Sequence, residues 1–193
     1  EYLPQSWFGL SYFDLDKQHL LTEGITDTYV DSGRVQSHGL EVELKHQFND
    51  HLRVGANYTF TKASVIESEV DTKGARLKNI PKHTANLNAD YQFELLGREA
   101  GLVGTINYFG KRSANYIDNG TSLPEFTVVN VGGYVQVRPD LRAQLNIDNV
   151  FDKDYYVSSY TDEWVQPGEP LYLDLNFELS LNFNSTNVLE HDR

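Results

Sequence analysis

Cysteine and methionine are both missing from this 193-residue chain. Without cysteine there is neither a disulfide framework nor a thiolate metal site. Long hydrophobic runs are missing too, since no stretch approaches the ~18 apolar residues that a membrane-spanning helix requires. The opening Glu1-Tyr2-Leu3-Pro4 has neither the charged nor the apolar region of a secretory leader, so the chain is expected to be either mature or cut from something longer. Positive charge is scarce: 16 Lys and Arg face 28 Asp and Glu, for a formal net charge of −12. That balance repels phosphates and argues against nucleic acid as a partner. The six histidines (His19, His38, His46, His51, His83, His191) are scattered, with no pair at ligand spacing on one strand, so no metal site and no tightly bound cofactor is expected. Ser37 and His38 are adjacent, hence on opposite faces of a strand, and cannot serve as nucleophile and base; no catalytic constellation is present and the chain is not expected to be an enzyme.

What is there is an alternation. A hydrophobic content of 39% would suit a soluble acidic domain. Its distribution does not, because 12 Tyr and 10 Phe are interleaved with Asn, Asp and Thr inside the most apolar segments. From Leu171 to Phe183 every odd position is apolar (Leu171, Leu173, Leu175, Phe177, Leu179, Leu181, Phe183), and Tyr172, Asp174, Asn176, Glu178, Ser180 and Asn182 lie between. A period of two over that length is a strand with one apolar and one wet face; a helix would mix the two sets. Leu52, Val54, Ala56, Tyr58 and Phe60 repeat the pattern, as do Ala85, Leu87, Ala89, Tyr91 and Phe93, and then Leu141, Ala143, Leu145 and Ile147. Leu40, Val42 and Leu44 alternate with Glu41, Glu43 and Lys45 in a strand placed at about 34–48. Less regular strands are read at roughly 99–112 and 125–138, and the least regular at 7–22, which gives eight in all.

The connections fall into two kinds. Phe48-Asn49-Asp50-His51, Glu94 to Arg98, and Arg138-Pro139-Asp140 are short turns. Long polar connections span roughly 23–33, 66–81, 113–124 and 152–170, and the two kinds alternate along the chain. All short turns therefore lie at one end of an up-and-down antiparallel sheet and all long loops at the other, which is the asymmetry of a transmembrane β-barrel in a Gram-negative outer membrane. A soluble up-and-down barrel or sandwich would share the topology but turn its apolar face inward.

Several segments resemble one family. Ser37-His38-Gly39-Leu40-Glu41-Val42-Glu43 is similar to the "S-x-G-x-E-x-E" strand of TonB-dependent siderophore receptors, and Asn57-Tyr58-Thr59-Phe60-Thr61-Lys62-Ala63 to the strand after it. Asn79-Ile80-Pro81-Lys82-His83 resembles the family's "N-x-P-x-H" strand start, and Leu123-Pro124-Glu125-Phe126-Thr127-Val128-Val129 its "L-P-G-Y-T-V-V-D" segment. Asn146-Ile147-Asp148-Asn149-Val150-Phe151-Asp152-Lys153-Asp154-Tyr155-Tyr156 resembles "N-v-x-N-l-F-D-k-x-Y-Y". The pattern departs at Asn130, where Asp is usual, and at the end, where a terminal Phe is usual: Phe183 fits that position, yet the polar residues 184–193 follow and are read as an unstructured or added tail to the barrel segment 1–183.

The resemblance implies an all-β, outer-membrane, single-chain barrel of about 22 strands, closed by a plug domain that carries the motif for TonB. Eight strands would be its C-terminal part, and the rest of the barrel, outer-membrane lipid and lipopolysaccharide its surroundings. It also implies uptake of a ferric siderophore, with TonB engaged through a plug that this chain does not contain. Glu41 and Glu43 would line the inner wall near that plug. The aromatics Tyr116, Tyr155, Tyr156, Tyr160 and Trp164, on or beside the loop end, are the ligand-binding candidates, although Tyr155 and Tyr156 at a strand end could equally belong to an interfacial aromatic girdle. Asp152, Asp154, Asp162 and Glu163 could hold calcium, or be ordinary solvated loop acids.

The competing reading is a self-standing eight-stranded barrel acting as an adhesin or structural anchor. It would enclose Glu41, Glu43, Asp90, Asp148, Asp174 and Glu178 against Lys45, Arg53 and Arg142 in a narrow interior, at several kcal/mol per unpaired ion. In a wide plugged barrel those groups stay hydrated. The larger barrel further requires that Leu171–Phe183 and the strand near 7–22 do not pair with each other.

Overall fold

The computed structural model describes residues 5–19, 21–23, 29–31, 33–68, 71–115, 121–160 and 164–180. They form strands only: β1 (Gln5–Gln18), β2 (Leu21–Glu23), β3 (Tyr29–Asp31), β4 (Arg34–Gln47), β5 (Leu52–Glu67), β6 (His83–Leu95), β7 (Arg98–Phe109), β8 (Arg112–Ser113), β9 (Ser122–Leu123), β10 (Phe126–Arg138), β11 (Leu141–Asp148), β12 (Tyr156–Ser159), β13 (Val165–Pro167) and β14 (Tyr172–Leu179). Eight of them make one antiparallel meander in the order β1-β4-β5-β6-β7-β10-β11-β14. The expected count holds. The other six form three small hairpins, β2 with β3, β8 with β9 and β12 with β13, in or at the edge of connections read from the sequence as loops; β2 takes up Leu21 and Thr22, and β8 Arg112, from the ends of the long strands expected there.

Strand ends shift where local chemistry dictates. The segment expected at 7–22 is β1, regular from Gln5 to Gln18 because it pairs with β4 along its whole length. The strand at 99–112 stops at Phe109, and β14 is described from Tyr172 to Leu179; Leu181, Phe183 and the 184–193 segment lie outside the described residues. Between β6 and β7 the turn is only Leu96-Gly97, with φ of 53° and 72°, the two left-handed residues of a tight hairpin whose twist suits its strands. At the 48–51 turn, Asn49 Oδ1 accepts the backbone N–H groups of His51 and Leu52 at 2.9 and 2.8 Å.

Register carries the two-faced pattern across the whole sheet. Phe8 lies opposite Leu44, Leu44 opposite Ala56, Ala56 opposite Leu87, Leu87 opposite Ile106 and Ile106 opposite Val129. A second row runs Leu52, Tyr91, Leu102, Gly133, Leu145, Leu175. One slip of one residue anywhere would carry these side chains to the other face. The apolar face stays bare: Leu175 is 57% and Phe177 65% exposed. In water each such side chain would cost roughly 1.5–3 kcal/mol relative to burial, which lipid contact removes. Tyr12, Tyr58 and Tyr108 sit toward the loop end of this face, and Phe48, Tyr91 and Phe93 toward the turn end. These are the two aromatic bands of a membrane wall.

The opposite face is rich in amides. Asn57, Asn86 and Asn107 occupy one row, and Asn86 Nδ2 donates to Asn107 Oδ1 at 2.6 Å. Lys45 pairs with Glu43 at 2.7 Å, Arg53 lies opposite Asp90, and Arg142 opposite Glu178. The sheet is open. β1 and β14 are its two ends and do not pair with each other among the described residues. Apart from Ala100 near the turn end, the buried apolar residues gather at the loop end instead of the sheet centre: Val35, Ala63, Val65, Ala75, Ala114, Leu123, Phe126 and Val128.

Candidate functional site

Three connections fold onto one another at the loop end. The segment after β5 runs back beside it, with Ala75 C=O accepting from Val65 N–H at 2.9 Å and Ala63 C=O accepting from Leu77 N–H at 3.0 Å. It then meets the β8–β9 hairpin, where Asn79 N–H donates to Ser113 C=O at 3.0 Å. The third connection, from β11 to β14, is fastened at its base by Asn149, which is 2% exposed. Its Nδ2 donates to the carbonyls of Lys153 and Glu169, both at 3.0 Å, and its Oδ1 accepts from Lys153 N–H at 2.8 Å. Asn149 N–H in turn donates to Asn130 Oδ1 at 2.9 Å, an acceptor role that the family's usual Asp would fill equally well.

Below these loops an aromatic column rises from the wet face. Phe109 stacks on Phe126 at 5.0 Å between centroids, and Phe126 meets the Tyr155 ring, tilted by 32°, at 4.4 Å. Arg112 is 2% exposed, lies 5.1 Å over the Phe126 ring and donates from Nη2 to Tyr156 C=O at 2.6 Å. Burial pushes its guanidinium below the ordinary value, since no carboxylate among the described residues offsets the lost hydration. Lower on the wet face, Arg142 stacks 3.6 Å over Tyr134 beside a hollow of about 370 Å³ lined by Thr105, Asn130, Gln144 and Asn146.

The candidate aromatics separate. Tyr155 is half-buried in the column, its ring so close to Gly168 that a Cβ there would lie 2.1 Å from it. Tyr156 opens β12 with its side chain exposed. Tyr160 and Trp164 come together at the outer end of the β12–β13 hairpin, 71% and 72% exposed, with Tyr160 N–H donating to Trp164 C=O at 2.8 Å. Lys78 Nζ lies 5.6 Å over the Tyr160 ring and donates to its carbonyl at 2.9 Å. Tyr116, Asp162 and Glu163 lie outside the described residues. Asp152 Oδ1 accepts from Leu171 N–H at 2.9 Å, closing the base of the loop. Among the described residues no three His, Asp or Glu gather closely enough to hold a metal.

Sequence reading missed Asn79, Arg112, Asn149 and Ser159 as organisers. The only sequence signal was that Asn79 and Asn149 fall in family-like segments; the structure adds that both adopt a left-handed φ, 64° and 50°, a conformation Asn tolerates better than most side chains.

Comparison with known proteins bears on this arrangement. The metal-pseudopaline receptor CntO of Pseudomonas aeruginosa is 33% identical over 182 residues, which is 90% of this chain and 25% of that receptor. The ferrioxamine receptor of Yersinia enterocolitica is 28% identical over 170 residues, 82% of this chain and 23% of its own length. The chain thus spans about a quarter of the length of the curated relatives it matches. In fold it superposes on the ferric yersiniabactin uptake receptor FyuA of Yersinia pestis with a TM-score of 0.78 at 16% identity, over 90% of this chain and 27% of that one. For the ferric preacinetobactin receptor BauA of Acinetobacter baumannii the TM-score is 0.73 at 22% identity, over 90% and 27%. The family model described as TonB dependent receptor-like, beta-barrel, matches residues 1–150. That match takes in most of the open antiparallel wall, with its bare apolar face and amide-lined opposite face, and on it the chain belongs to the TonB-dependent receptor β-barrel family, whose members reside in the outer membrane.

Proposed function

We propose that this chain forms part of the wall and outward loops of an outer-membrane receptor, at the C-terminal end of a larger barrel, and that the whole receptor takes up a metal already chelated by a small carrier: a ferric siderophore or a related metal chelate. The apolar face that runs unbroken across all eight strands carries this reading, because it needs lipid on one side and a hydrated lumen on the other. Relatives named for pseudopaline-bound metal and for ferrioxamine support chelated metal as the cargo. TonB would engage through a plug supplied by the remainder of the receptor. The chain's part is transport and not catalysis.

A self-standing eight-stranded anchor would close by pairing β1 with β14. The absence of that pairing among the described residues favours the larger barrel.

The test is accumulation of radiolabelled metal from ferrioxamine, a ferric catecholate and metal-pseudopaline by cells carrying the full receptor, with and without TonB. Accumulation of at least one chelate that disappears without TonB is expected. Uptake of none of them, or equal uptake without TonB, would overturn the proposal.

A further inference from the structure

We infer that the side chain of Asn79 is a positioning residue that locks the β12–β13 hairpin to the two neighbouring loops, so that Tyr160 and Trp164 meet the outside as one fixed aromatic surface for ligand capture. The capture role rests on the proposed function; the lock itself does not.

The geometry is that of a peptide group imitated by a side chain. Asn79 Oδ1 accepts the backbone N–H of Ser159 at 2.8 Å while its Nδ2 donates to the C=O of the same residue at 2.9 Å. A carboxamide is the side-chain group that can do both, since a carboxylate has no donor and a methyl has neither. Ser159 is 3% exposed, and its hydroxyl donates to Ala114 C=O at 2.6 Å. Asn79 N–H reaches Ser113 C=O. One residue therefore joins the 71–82 segment, the β8–β9 hairpin and the β12–β13 hairpin, across 80 residues of sequence. Lys78 beside it holds Tyr160 through its carbonyl and ring. The left-handed φ of 64° turns the carboxamide toward Ser159, and Asn adopts it without the strain that a larger side chain would bear.

The conformational and chemical roles separate by substitution. Asn79→Gly keeps the left-handed backbone and removes the amide. Asn79→Asp keeps the acceptor and sets a carboxylate against the Ser159 carbonyl. In the full receptor, on a cysteine-free background, spin labels at Lys73→Cys and Gln166→Cys report the distance between the first and third connections without any ligand, and heat-modifiable gel mobility reports the folded barrel. Energy-independent binding of ferrioxamine and of a ferric catecholate to whole cells is measured beside saturated uptake. Expected for Asn79→Gly are a broadened distance distribution and an affinity weaker by on the order of tenfold, from the loss of the carboxamide's hydrogen bonds to Ser159, with saturated uptake unchanged. Asn79→Asp should also broaden the distribution. An unchanged distribution in both folded variants overturns the lock. Broadening with unchanged affinity overturns the capture role and leaves the receptor reading standing. A wild-type receptor that binds neither chelate refutes capture of these ligands, and the spin labels still decide the lock.

Discussion

An arginine placed at Leu175 and one placed at Asn176 should behave oppositely, though the two positions are adjacent. Leu175 lies halfway along β14 on the apolar face, 57% exposed, opposite Leu145 and flanked by Leu173 and Phe177. A guanidinium there must enter hydrocarbon or drag water toward itself. At the bilayer midplane this costs ~2–4 kcal/mol, falling toward ~0–1 at the interfaces. Asn176 points to the wet side, opposite Gln144, with its Nδ2 donating to Asp174. Arginine there would find the carboxylates of Asp174 and Glu178 two residues away on the same face, so its cost should stay within about 0.5 kcal/mol. A gap of ~2 kcal/mol is about 30-fold in the folded-to-unfolded ratio, well within reach of denaturant titration of the full receptor folded into lipid vesicles. Equal losses at the two positions, or the greater loss at Asn176, would refute the assignment of faces.

Glycines give a second contrast: Gly168→Ala drives a Cβ into the Tyr155 ring and off its place on Phe126, for about 1–3 kcal/mol and faster proteolysis of the 152–170 connection. Gly104→Ala, with nothing within 4 Å of its Cβ, should change stability by no more than about 0.5 kcal/mol in the same titration. Asn149→Ala strips three hydrogen bonds from a buried site and should destabilise the loop base by about 2–3 kcal/mol, seen as lost protection of the Lys153 amide in hydrogen exchange. Residues 1–193 expressed alone should support no chelate uptake, and accumulation of labelled ferrioxamine by such cells would contradict the need for the rest of the receptor.

The sequence by itself determined the wall. A period of two is local information, because neighbouring side chains on a strand must point opposite ways. Leu52 to Phe60 and Ala85 to Phe93 therefore declared their faces without any partner, and the short turns declared which end was which. Five family-like segments added the class of barrel. Even β1, the least regular by pattern, followed once β4 supplied a register to pair against.

The loop end was decided only by the tertiary structure. Asn79 and Ser159 are 80 residues apart, and nothing near either one in sequence calls for the other. Whether Tyr155 faced lipid, water or protein depended on Phe126 and Gly168 arriving beside it from different segments. Tyr160 and Trp164 meet because β12 and β13 pair within a connection whose aromatics stand out in the sequence but whose hairpin does not. Alternation sets which way a side chain faces. What it meets there depends on how distant loops pack, and at this end of the barrel that packing rests on hydrogen bonds between segments that no local period foretells.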